Sequence, residues 1–282
     1  MCGRYAASAN PDELIEAFEI DVDASAEPSR SVLVNPQQPP VGEPDYNMAP
    51  TKQAPVVLTR APRAAREGTE PGEAVRQLRH LTWGLVPSWS RDVKAGVRMI
   101  NARSETLLTS RAYASAARSR RCLVPARGWY EWQASPVATD AKGKPRKQPF
   151  FISDPEEPII AFAGLYEFWR DRTVADSADP MAWLTTFTII TTDADPGLDR
   201  IHDRQPLVLE PADWSTWLDP ALTDESDIAD LLAFSRPGRF TAYPVSRAVS
   251  SNRSNGPHLI DPVAADELVG VVDPETGEII GG

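Results

Sequence analysis

Extended-type apolar segments follow one another through most of the chain with little that is helical between them, and this order constrains the fold more than any other feature. "PFFIS", "PIIAFAGLYEFW", "WLTTFTIITT", "PLVLE" and "RFTAYPV" are rich in β-branched and aromatic residues, and "APVVLTR", "VRQLRHLTW" and "RRCLVPARGWYEW" read as strands before them. A doubly wound parallel sheet needs strands and helices in regular alternation, which is absent here. The predicted helices are few. One opens at Asn10-Pro11-Asp12-Glu13, with a cap, a proline at the first helical position and acids in the first turn. "SETLLTSRAYASAARS" is the clearest helix of the middle region, and "PADWSTWL" and "ESDIADLLAF" are short ones. Residues 21–44, with five prolines, read as an extended surface loop. Residues 61–74 read as an exposed hairpin loop, and 134–148 and 170–182 as polar loops. Mixed or antiparallel β with peripheral helices, an α+β protein, is the expectation. No linker divides the chain, so it reads as one domain.

A chain of 282 residues, 41% of them hydrophobic, can bury a sizeable core. No apolar run approaches the length that spans a bilayer, and "SANPDELIEAF" is polar and helical where a signal peptide would be apolar. Cys2 and Cys122 are the only cysteines, which excludes a disulfide framework and a Cys-rich zinc site. With only three histidines, all scattered, neither a metal site nor a cofactor is expected. A reducing, cytoplasmic location is. The net charge of −11 argues at first against nucleic acid, but it hides an asymmetry. Arg91 to Arg127 carries nine Lys and Arg against two acids, and Leu231 to Ile260 four Arg and no acid. A basic surface on an acidic protein is therefore compatible with the composition.

Position 2 is an odd place for one of two cysteines, since chain ends are usually frayed and free cysteine is usually buried. Once Met1 is removed, Cys2 carries a thiol and an α-amine on adjacent carbons, a pair no internal residue offers. Elsewhere, polar residues stand isolated in segments dense in Trp, Gly and Pro. Glu131 lies between Tyr130 and Trp132 with Trp129 close by, surroundings that raise a carboxyl pKa and suit proton transfer near neutrality. His202 sits among Arg200, Asp203 and Arg204. Asn101 and Arg103 alternate at a strand end, so both can face one cleft, Arg103 to hold a phosphate and Asn101 to bond a substrate or the terminal amine.

Taken together, "MCGRY", "YNMAPT", "WGLVPSW", "INARSET", "GWYEW", "IHDRQPLVL" and "PVSRAV" resemble the SOS-response-associated peptidase (SRAP) family, in the expected order and over residues 2 to about 260. The resemblance implies a single α+β domain with a β-rich, barrel-like core over residues 1–260, and an acidic extension, hairpin or disordered, over 261–282. It implies a groove for single-stranded DNA and covalent attachment to abasic sites. Matched residue by residue, Cys2 is the crosslinking cysteine, and Asn101, Glu131 and His202 complete the catalytic set. Arg4, Pro50, Trp89 and Arg103 contact or wedge the DNA. The implied partner is single-stranded DNA containing abasic sites, bound by a monomer that is nucleoid-associated on DNA. Self-removal of Met1 and lyase-like chemistry belong to the same picture. The chain departs from the family pattern in its acidic charge, in longer loops at 61–76 and 170–182, and in its tail.

The chemistry of the residues agrees. An abasic deoxyribose opens to an aldehyde, and an α-amine of pKa about 7.7–8.0 is far more often neutral at pH 7 than a lysine of about 10.4. The adjacent thiol can close a five-membered thiazolidine on the imine carbon. The alternative from another class is an N-terminal-nucleophile amidohydrolase, because glutamine amidotransferase domains also begin Met-Cys-Gly; Cys2 would then attack an amide with its own amine as base. A non-catalytic single-strand binding module is a third reading.

Overall fold

The computed structural model describes residues 2–60, 73–233 and 236–281. In chain order the strands are β1 (Tyr5–Ala7), β2 (Val22–Asp23), β3 (Asp45–Met48), β4 (Gln53–Arg60), β5 (Val75–Trp83), β6 (Asn101–Arg103), β7 (Arg121–Ala126) and β8 (Gly128–Thr139). They continue as β9 (Pro145–Ser153), β10 (Ile160–Arg170), β11 (Trp183–Asp193), β12 (Arg204–Pro206), β13 (Val208–Leu209), β14 (Thr241–Pro244), β15 (Val271–Val272) and β16 (Ile279–Ile280). Four helices lie outside them: α1 (Pro11–Ala17), α2 (Ala114–Ser119), α3 (Trp214–Leu218) and α4 (Glu225–Ala233).

Strands β11, β10, β7, β4 and β5 pair in that order, all antiparallel, and β5 then returns to β11 to close a barrel. Parity dictates the last pairing. Four antiparallel steps leave the first and fifth strands pointing the same way, so the closing pair, Thr82 with Thr186 and Trp83 with Phe187, is parallel. A second sheet, β14-β9-β8-β1-β3, is antiparallel throughout and packs on the barrel through aromatic side chains. Tyr5 of β1 meets Trp83 and Phe162 edge-on at 5.2 and 5.7 Å, and Trp129 of β8 meets Phe162 at 6.1 Å. Such contacts each add about 1 kcal/mol beyond the area they bury. The expected α+β domain with a barrel-like core is what the chain forms.

Local chemistry explains the elements and where they depart from expectation. Asn10 and Glu13 form a reciprocal capping box, each bond 2.9 Å, with Pro11 at the first helical position of α1. Phe18, just past that helix, stacks on Trp214 of α3 at 4.4 Å. The predicted helix over 104–119 is helical only at α2 and in a 3₁₀ turn at Ser104–Thr106. Hydroxyls compete for the backbone there: Thr109 Oγ1 donates to Thr106 O at 3.2 Å, and Ser110 Oγ accepts from the Ala112 N–H at 3.3 Å. Residues 134–148, read as a loop, are mostly the ends of β8 and β9. Asp140 turns them by accepting the Lys142 and Lys144 N–H groups, with Gly143 at φ +72. Val22 and Asp23, read as loop, pair with β5. The hairpin loop read over 61–74 lies, except for its last two residues, outside the described residues. The C-terminal segment forms the β15–β16 hairpin, with Leu268 and Val271 in the same buried cluster as Tyr5 and Trp83.

Candidate active site

Strand β1 runs antiparallel to β8, with Tyr5 opposite Trp129 and Ala6 opposite Gly128. The Tyr130 N–H donates to Arg4 O at 3.0 Å, which carries the contact with β8 one residue closer to Cys2. The chain start is therefore not frayed, as a second position usually is: Cys2 is 0% exposed. Asn101 holds it from the other side, its Nδ2 donating to Cys2 O at 2.8 Å. Burial pushes the Cys2 thiol well above its ordinary value, and the Glu131 charge adds to the rise.

Asn101 is fixed by its strand. β6 lies parallel to β11 with Asn101 opposite Ile189, the Trp83 Nε1–H donates to Ile100 O at 2.8 Å, and the Tyr113 hydroxyl donates to Asn101 O at 3.3 Å. Among the described residues the Asn101 Oδ1 is buried with no hydrogen-bond partner. Glu131, opposite Phe150 in the β8–β9 pair, is 3% exposed, and burial raises its carboxyl to about 7, with Asp203 adding to the rise and Lys147 opposing it.

His202 occupies the turn from β11 into β12, its N–H bonded to Leu198 O at 3.0 Å. Its Nδ1 lies 3.0 Å from the Arg204 N–H and 2.8 Å from Asp203 Oδ1. A backbone N–H only donates, so in the neutral ring Nδ1 accepts and Nε2 carries the proton; a protonated ring turns Nδ1–H to Asp203 instead. Burial lowers the His202 pKa, which favours the neutral form at pH 7. Asp203 and Lys147 act electrostatically on both Glu131 and His202, which places the two groups in one neighbourhood.

The remaining candidates form the surroundings. Arg4 is half-buried, with Nη1 donating to Asn47 Oδ1 at 2.9 Å and to Val249 O at 3.2 Å. Buried Asn47 in turn donates to Ser251 O and Ser254 O, both at 2.9 Å, so Arg4 is bracketed to the 249–254 loop. Pro50 is half-buried beside Thr51, whose φ of +76 is a strained value for a β-branched residue. Trp89 is 59% exposed, and the Arg111 guanidinium lies over its ring at 5.2 Å. Arg103 is exposed.

The basic run divides in two. Arg118, Arg120 and Arg127 pair with Glu225, Glu167 and Glu13 at 2.8, 3.0 and 2.9 Å, and buried Arg121 donates to Trp217 O at 2.7 Å and Ala117 O at 2.8 Å. Arg91, Lys94, Arg98, Arg103 and Arg111 are left exposed. Sequence reasoning counted all nine alike. It also missed Asn47, although Asn47 stands inside "YNMAPT", and Lys147, which fell in a presumed loop.

Fold and site together define a single-domain α+β protein in which buried Cys2 is held by the Asn101 amide and lies under the influence of Glu131, which shares the neighbourhood of His202. The chain belongs to the SOS response associated peptidase (SRAP) family, whose profile matches residues 1–252. It is 34% identical over 263 residues to the abasic site processing protein YoqW of Bacillus subtilis (strain 168), covering 93% of this chain and 99% of that protein. Against the abasic site processing protein YedK of Escherichia coli (strain K12) it is 32% identical over 267 residues, 93% of this chain and 100% of that one. Against HMCES of Rattus norvegicus, also named an abasic site processing protein, it is 30% identical over 294 residues, 95% of this chain and 77% of that one. A crystal structure of a protein from Bacteroides thetaiotaomicron shares the fold, with a TM-score of 0.65 at 22% identity over 93% of this chain and all of that one, 100%. That of a phage-related protein from Bordetella bronchiseptica gives 0.58 at 29% identity, over 87% and 95%. No helix among the described residues is long and apolar enough to cross a membrane.

Proposed function

We propose that this protein detects abasic sites in single-stranded DNA and shields them as a covalent thiazolidine adduct on Cys2, after Met1 has been removed by the protein itself or by a methionine aminopeptidase. The observation that carries the reading is a buried Cys2 whose carbonyl is held by the Asn101 amide and whose thiol feels the charge of Glu131. The names of the relatives supply the substrate.

The α-amine adds to the aldehyde carbon of the ring-opened sugar, and loss of one water gives the imine. The Cys2 sulfur then adds to the imine carbon while its proton passes to the nitrogen, closing a five-membered ring with nothing further lost. Closure intercepts the imine before lyase-type elimination can break the strand. Glu131, poised near neutrality, takes and returns protons at the amine, the thiol and the imine. His202, which burial keeps neutral at pH 7, assists sugar ring opening and the departure of water. Asn101 holds the Cys2 carbonyl and offers Oδ1 to the amine. Arg103 with Arg111, Arg98 and Arg91 provides cationic surface for the phosphates, Pro50 and Trp89 provide apolar faces for the bases, and Arg4 braces the groove wall. The protein acts as a monomer in DNA damage responses.

The test is incubation of the purified protein with an abasic single-stranded oligonucleotide, read on a denaturing gel after heating. A heat-stable shift is expected with abasic DNA and none with intact DNA; release of ammonia from glutamine without a shift would overturn the reading in favour of an amidohydrolase.

A further inference from the structure

His202 stands midway in sequence between two arginines, each of which ties the turn to another part of the fold. Arg204, two residues on, donates to Glu105 at 2.5 Å and to Thr191 O at 2.7 Å, locking the turn to the 3₁₀ turn at Ser104–Thr106 and to β11. Arg200, two residues before, donates through Nη1 to Pro274 O and, at 3.2 Å, to Glu275 O, both in the turn of the C-terminal hairpin. Its own carbonyl accepts from Gln133 Nε2 at 3.1 Å.

Gln133 is the junction. Two positions from Glu131 on β8, and therefore on the same face of that strand, it is 2% exposed. Its Nε2 also donates to Val272 O at 2.8 Å, and its Oε1 accepts from the Val272 N–H at 2.7 Å. Both amide hydrogens and the amide oxygen are thus committed, two bonds to the hairpin and one to the turn, which fixes the amide in one orientation. Ser135, one face-step further, donates to Gly270 O at 2.6 Å. Leu198 and Ile201 of the turn and Leu268 and Val271 of the hairpin belong to one buried cluster. Residues 268–280 lie beyond the segment the family profile matches.

We infer that the C-terminal hairpin is part of the active site, and that Gln133 and Arg200 are positioning residues through which it sets the His202 ring against Glu131. Without the hairpin, Gln133 loses two of its three hydrogen bonds, both to Val272, and becomes an underbonded buried amide. The turn carrying His202 then keeps its Arg204 anchor and loses the other. The inference rests on the proposed role of His202 in adduct formation.

Two measurements on the full-length protein separate the two ideas: amide hydrogen exchange of the His202 N–H, and single-turnover crosslinking to abasic single-stranded DNA. Arg200→Ala is expected to speed exchange at His202 about tenfold and to slow crosslinking about tenfold, the effect of one or two hydrogen bonds. Arg200→Lys, which keeps a donor, should restore most of both. Added to His202→Ala, Arg200→Ala should cost nothing more. Gln133→Glu, which keeps the acceptor and loses the donors, should behave as Arg200→Ala does and covers the case in which that variant does not fold. Unchanged exchange at His202 in both variants overturns the inference. So does a wild-type rate for Arg200→Ala where His202→Ala is slow, or additive losses in the double variant. Faster exchange in Arg200→Ala, with wild-type crosslinking rates in both Arg200→Ala and His202→Ala, leaves the clamp standing and overturns the proposed role of His202.

Discussion

The side chain of Asn101 reaches the start of the chain, its Nδ2 2.8 Å from Cys2 O across 99 positions of sequence. It is the contact that orients the residue on which the proposed chemistry depends. The Asn101 Oδ1 is buried and without a partner among the described residues, and in the proposed mechanism it receives an N–H of the amine. Asn101→Ala is expected to slow crosslinking about tenfold, as loss of a well-placed hydrogen bond does, with a shift of only a few degrees in thermal unfolding. Single-turnover gels and differential scanning fluorimetry give the two numbers.

Glu131 links activity and stability to pH in opposite directions. Its carboxyl, ordinarily near 4.5, rises to about 7 by burial, so the basic form declines as pH falls through 7 and crosslinking is expected to decline with it. Glu131→Gln should slow the reaction by ~10²–10⁴ and flatten that profile. For folding, a raised carboxyl pKa favours the native state fully below pH 4.5, and that contribution is lost as pH rises to about 7. Glu131→Gln is therefore expected to be the more stable protein at pH 8, by up to about 3 kcal/mol, with little difference at pH 5. Urea denaturation at the two pH values measures it.

Cys2→Ser retains an amine but loses the sulfur that closes the ring. It should form an imine with abasic DNA that borohydride traps, and no heat-stable adduct without the reductant. Crosslink-competent wild-type protein is expected to lack Met1 by intact mass, and adduct formation by protein that retains Met1 would contradict the mechanism.

The division of the basic run predicts two unlike arginine phenotypes. Arg103→Ala, at an exposed position, should weaken noncovalent binding equally on all sequences and flatten the salt dependence by about one unit or less. Arg121→Ala should leave the salt slope alone and cost roughly 2–4 kcal/mol of stability, because buried carbonyls of Ala117 and Trp217 lose their donor. Fluorescence anisotropy at several salt concentrations and chemical denaturation distinguish them.

The strands were legible because β-branched and aromatic runs fill them, and α1 because its cap and first-turn residues are adjacent in sequence. The parallel pair of β5 with β11 was not, since it follows from how many strands close the barrel and from no local pattern. The catalytic candidates stood out as isolated polar residues among aromatics. Lys147 and Gln133 did not, because their importance comes from the β8–β9 pairing, which sets Gln133 opposite Gln148 and carries Lys147 to the site. Nor does sequence tell Arg121 from Arg103: one meets the last carbonyls of two short helices, the other faces outward, and only packing decides which.

The order of strands in the second sheet also sets a timetable. β1 lies between β3 and β8, so the residue that leaves the ribosome almost first waits for Thr139 before its enclosure can be completed. At ordinary synthesis rates that is roughly 7 to 27 s. During this interval the start of the chain is within reach of an aminopeptidase; once β8 and the strands after it have docked, Cys2 belongs to the buried cluster they share. On the proposed reading, an aminopeptidase has its easiest access to the nascent chain, whereas self-cleavage waits until Asn101 and Glu131 stand beside Cys2.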